Sequence, residues 1–125
     1  MKYIITTLLF LISVPDLFSF SGGNGTEADP YQISTKAHLE LLADSVNNGS
    51  SWSKDKYFIV MNNITDSVRT IIGDYTYPYL FQGIFDGQGY SIALAINDNI
   101  FFSVALFGCV YNATIKNVIV NGYVI

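Results

Sequence analysis

Apolar residues reach this chain in short alternating bursts broken by Gly and Asn, as in "ATIKNVIVNG", and that rhythm constrains the fold more than any other feature. From Lys56 onward the same texture recurs in "KYFIVMNNI", "FQGIFDGQGYSIALAI", "ALFGCV" and "ATIKNVIVNGYVI". Such bursts predict strands separated by tight turns. Two of them echo each other. "GQGYSIALAIND" and "YNATIKNVIVNG" both run turn residues, a hydroxyl residue and Ile, alternating β-formers, then Asn. Ser91-Ile92 against Thr114-Ile115 sets the offset at 23 residues (114 minus 91), within the roughly 20–45 of stacked repeats. The expectation is an all-β fold with one capping helix, stacked as a parallel β-solenoid that is incomplete at its C-terminus.

The one helix is expected in "STKAHLELLADSVNNG". Ser34 or Thr35 can cap it by accepting a hydrogen bond from the first turn. Leu39, Leu42, Ala43 and Val46 fall at i, i+3, i+4 and i+7 on one face. Asn47-Asn48-Gly49 ends it, with Gly49 suited to a left-handed C′ position. One narrow stripe on a short helix has to cover something else. Before it, "SGGNGTEADPYQIST" reads as a turn-rich lead-in with a short strand at "YQI", and Trp52 is expected to pack where the helix hands over to the first long strand.

The opening "MKYIITTLLFLIS" has a basic start and an apolar run too short for a bilayer span. With Ser19 and Ser21 as the small residues before a cut, it reads as a secretory signal peptide over residues 1–21, leaving 22–125 as one mature domain without a membrane span. Five cations remain there (Lys36, Lys54, Lys56, Arg69, Lys116) and the chain carries net charge −4, so no basic stripe invites nucleic acid. Cys109 is the single cysteine, which excludes an intrachain disulfide, and "LFGCV" places it as a small buried hydrophobe.

"GGNGTEADPYQIST", the helix, "FQGIFDGQGYSI" and "ALFGCVYNATIKNVIVNG" together resemble the N-terminal region of bacterial surface and adhesin-like proteins with GLUG-motif repeats. That resemblance spans nearly the whole mature chain. It implies a right-handed parallel β-helix, capped at its N-terminus, in a large exported protein, at the cell surface or secreted.

Residues that could carry chemistry are few. His38 is the sole histidine and sits on the helix beside Glu40, with no metal-ligand spacing around it. Asn24, Glu27 and Asp29 offer oxygens but not a calcium-loop spacing. Asp74, Asp86 and Asp98 follow at intervals of 12, which on a 23-residue coil puts them on different faces, Asp98 near Asn121 and Asp74 near Asn97; paired acid/base carboxylates are not expected. Arg69 and Lys116 have no obvious carboxylate to work with. No Gly-x-Ser-x-Gly elbow occurs, and "FDGQGYSI" lacks the following helix of a phosphate loop. Asn-x-Ser/Thr sequons stand at Asn24, Asn48, Asn63 and Asn112. Tyr75, Tyr77 and Tyr79 alternate in "DYTYPYLF", either as a possible ligand or partner surface or as a loop folded back on the core around Pro78.

These readings predict a non-catalytic exported module with a structural or adhesion role and no cofactor, part of a longer chain. Its partners would be a protein or glycan ligand, and further coils or another chain stacked end to end through 114–125. A carbohydrate-active β-helix enzyme with its catalytic coils elsewhere is the alternative. A non-catalytic region of a surface peptidase is a third.

Overall fold

The structure, a computed structural model, describes residues 19–49, 51–73, 78–96 and 105–124. Its elements are β1 (Tyr31–Ile33), α1 (Lys36–Asn48), β2 (Tyr57–Val60), β3 (Ile64–Val68), β4 (Ile84–Asp86), β5 (Ser91–Ile96), β6 (Thr114–Lys116) and β7 (Ile119–Val124). They form a four-stranded sheet in the order β1-β2-β4-β6 and a three-stranded sheet in the order β3-β5-β7. Every named pair is parallel.

The architecture is therefore mixed α/β, which corrects the expected all-β class and the right-handed parallel β-helix. Two separate parallel sheets and a helix share one core. Leu39, Leu42, Ala43 and Val46 of α1 are all buried in the same cluster as the strand residues. The helix thus contributes a layer of the core instead of roofing a β structure. The 23-residue register is corrected too. Ser91 on β5 pairs with Ile119, whereas Thr114 on β6 pairs with Ile84. The echo compared strands of different sheets.

True register partners are farther apart. Tyr31, Phe58, Phe85 and Ile115 lie opposite one another across the larger sheet, at steps of 27, 27 and 30 residues. Ile64, Ile92 and Val120 do so in the smaller sheet, at steps of 28. Like side chains thus lie side by side on the buried face of each strand, as Phe58 and Val60 do on β2 and Phe85 on β4.

Local chemistry explains α1. Thr35 is the N-cap, in extended conformation, and its side chain accepts from the His38 N–H. Gly49 is extended (φ −111°), not left-handed as expected. The helix end is tied down by a side chain instead: Asn47 Nδ2 donates to Ile71 O at 2.9 Å, and Asn47 Oδ1 accepts from Gly73 N at 2.9 Å. Trp52 is half-buried, and its ring lies nearly parallel to that of Tyr31 at 6.2 Å. Among the described residues, no helix is long and apolar enough to cross a membrane.

The two ends of the sheets differ. Ile33 O accepts from Met61 N, so Ile33 faces β2 and its neighbour Gln32 faces outward. There Gln32 O accepts from Ser21 N and Gln32 N donates to Gly22 O, both at 2.9 Å, so residues 21–22 cover the outer edge of β1. β3, the first strand of the other sheet, packs against α1. At the opposite end stand β6 and β7.

Candidate functional site: an uncovered sheet edge

Among the described residues, β6 and β7 each end their sheet. What marks them out is the identity of the residues there. Phe81, Phe85 and Ile92 are each 0% exposed. Their register partners one layer on are Val110, Ile115 and Val120, which are 49%, 38% and 43% exposed. Residues of core type therefore occupy core positions, yet lie open. Ile119 and Tyr111 are exposed as well. Edge strands are ordinarily blunted by charge, proline or a bulge; here Lys116 is the only charged residue within β6 or β7.

The turn that shapes the corner between the sheets is built from "FDGQGY" and the Lys116–Val118 bend. Asp86 Oδ1 accepts from Gln88 N at 2.9 Å and from Asn117 Nδ2 at 3.0 Å, and Lys116 Nζ stands 3.8 Å from Asp86 Oδ2. The Asn117 amide is the main cause holding the Asp86 carboxyl below its ordinary range; burial opposes this, and the Gln88 N–H and the Lys116 charge add to the lowering. A carboxyl held ionised by two hydrogen bonds on Oδ1 is a turn fastener and a poor general acid. An open groove of about 590 Å³ runs past this corner, from Asp86 and Gln88 to Asn117 and Ile119.

A second cluster gathers at the start of α1. His38 Nδ1 accepts from Ser34 N at 3.0 Å, and Ser21 Oγ lies 3.3 Å from the same nitrogen and 2.6 Å from Ser34 Oγ. Serine and histidine here resemble a nucleophile and its base. With Nδ1 committed to a backbone amide, however, the imidazole acts as a tie between the lead-in and the helix. Burial lowers the His38 pKa from its ordinary 6.5. The folded state thus prefers neutral imidazole, so this stabilisation is complete above pH 6.5 and is lost as pH falls below it toward the folded value. Thermal melting of the full chain is expected at a lower temperature at pH 5 than at pH 7.5, with the difference reduced in His38→Gln. An unchanged pH dependence in that variant would remove His38 as its source.

The third is aromatic. Phe20, Tyr31, Trp52 and Phe58 have ring centroids 4.8–6.2 Å apart. A cavity of about 300 Å³ opens beside them, lined also by Leu41 and Ser45. Tyr31 stacks on Trp52, and Lys56 Nζ stands 5.0 Å from the Trp52 ring centre while donating to Trp52 O. The rings are engaged with one another and with that cation.

Of the tyrosines singled out from sequence, Tyr79 is half-buried, while Tyr75 and Tyr77 lie outside the described residues. Asp74, Asn97 and Asp98 also lie outside them, and Asn121 pairs with Ala93. Cys109 is half-buried. Among the described residues, no three His, Cys, Asp or Glu side chains converge. Sequence reading pointed to 114–125 as a contact region but passed over Val110; a step of 29 from Phe81 would have found it. Comparison with protein-family models, with curated proteins and with solved structures returned no match to this chain.

Proposed function

We propose that this chain is a non-catalytic interaction module of an exported bacterial surface protein, and that its working part is the β6/β7 edge. The occupant of that edge is a partner protein supplying two parallel strands with apolar residues at the ladder positions. The carrying observation is that Val110, Ile115 and Val120 continue ladders whose previous members are wholly buried. Strand addition satisfies edge N–H and C=O groups while alternate side chains set specificity.

Register continuity supports a parallel partner, since each layer already adds in that sense. A second copy fits poorly. Two identical edges related by a two-fold axis run antiparallel, and head-to-tail stacking meets a β1 edge already bonded to residues 21–22. The resemblance to surface proteins with GLUG repeats supports export and display.

Fully burying a Val or Ile side chain contributes about 1.5–3 kcal/mol, so covering what remains open of three is worth a few kcal/mol. A labelled synthetic peptide of residues 81–96, which carries one layer's strand pair, serves as the probe. Saturable binding to the full chain is expected by fluorescence anisotropy. Ile115→Lys with Val120→Lys should weaken it at least about tenfold, the equivalent of 1.4 kcal/mol, while changing stability by less than about 1 kcal/mol. No binding, or equal binding to the double variant, would contradict the proposal.

A further inference from the structure

A small-residue rule for leader removal selects the bond between Ser21 and Gly22, because Ser19 and Ser21 stand at the third and first positions before it. The structure assigns those residues another task. The Phe20 ring packs 4.8 Å from that of Tyr31 and 6.0 Å from that of Phe58, which is 1% exposed. Phe20 is one of the partly buried residues closing the core cluster. Ser21 N donates to the outward C=O of Gln32, and Ser21 Oγ bonds Ser34 Oγ at 2.6 Å. A chain beginning at Gly22 would lack an aromatic ring of the core, the partner of the Gln32 carbonyl, and the hydroxyl beside His38. The β1 edge would then be held only by the bond from Gln32 N to Gly22 O, and exposed edges recruit other chains.

We propose that leader removal takes place N-terminal to Phe20, so that the mature domain keeps Phe20 and Ser21 as structural residues. This rests on the export reading above. Peptide-bond hydrolysis by the exporting cell's leader protease is the only chemistry required.

The full chain is expressed in a bacterium with Sec-type export, and the exported product is analysed by N-terminal sequencing and intact mass. A product starting at Phe20 or earlier, but after the apolar run, is the expected result. A product starting at Gly22 would overturn the proposal and leave the export reading standing. An uncleaved chain would overturn both. As a second readout, Phe20→Ala and Ser21→Pro in the full chain should each lower Tm by about 5 °C or more. Unchanged melting in both would show that residues 20–21 are no part of the folded unit, and would overturn the proposal independently of processing.

Discussion

Phe58→Ala should destabilise the chain by about 3–5 kcal/mol, the range for truncating a buried phenylalanine. Phe58 is 1% exposed and lies on β2, at the centre of the larger sheet's ladder between Tyr31 and Phe85. Its ring is within 6.0 Å of the rings of Phe20, Tyr31, Trp52 and Phe81. Removing it empties the meeting point of the N-terminal segment, the larger sheet and the segment leading to β4. The surrounding rings are held by their own strands and cannot all collapse inward, so a cavity remains. Typical domains have 5–15 kcal/mol in total, and this loss is a large share of that. Urea unfolding of the full chain should show a much lower midpoint. Ile115→Ala, in the same ladder two strands along but 38% exposed, should cost less than half as much. Equal costs would mean that the ladder is not buried progressively from β6 inward.

Gly122→Ala should detach β7 from β5. Gly122 has φ +148°, and a Cβ placed there would lie 1.8 Å from the Leu94 carbonyl oxygen. That obstacle is backbone on the partner strand, so no side-chain rotation relieves it. Alanine at a position requiring positive φ costs more than about 1 kcal/mol on its own, and the clash adds to this. Gly89 provides the control, since its φ is +78° but nothing lies within 4 Å of an added Cβ. The excess of Gly122→Ala over Gly89→Ala therefore combines the close approach of the two strands with the more extreme φ at Gly122. Amide exchange should accelerate along Ile119–Val124 in Gly122→Ala alone, and binding of the 81–96 peptide should weaken with it. Slow exchange retained in β7 would show that the strands are not so closely apposed.

Much of the local structure was legible because it depends on neighbours in sequence. The helix follows from one 3.6-residue stripe and a Thr cap, and Leu39, Leu42, Ala43 and Val46 are its buried face as their spacing requires. "YQI" is β1 and "ATIKNVIVNGYVI" contains β6 and β7. The class was not legible. A stripe of four residues on α1 is compatible with a lid or with an integral core layer, and only packing distinguishes them. The register misled for a related reason. "SIALAI" and "TIKNVIV" look alike because both are strands after turns, yet they belong to different sheets. The actual partners stand 26–30 residues apart, and unequal loops between them blur any fixed period. Gly49 shows the same limit at one residue: its type permits a left-handed cap, but Asn47 ties the helix end and Gly49 is extended. As for the site, Ile115 and Val120 lay within the stretch marked for contact. Their meaning came only when their partners Phe85 and Ile92 proved fully buried.

Amide hydrogen exchange of the full chain, with and without the 81–96 peptide, tests the account most directly when the peptide carries a nitroxide at its amino end. Slowed exchange across Thr114–Lys116 and Ile119–Val124, unchanged exchange in β1 and α1, and paramagnetic broadening stronger at Thr114 than at Lys116 are the expected results for a parallel strand seated on the open edge. Protection at β1 instead, or broadening stronger at Lys116 than at Thr114, would contradict it.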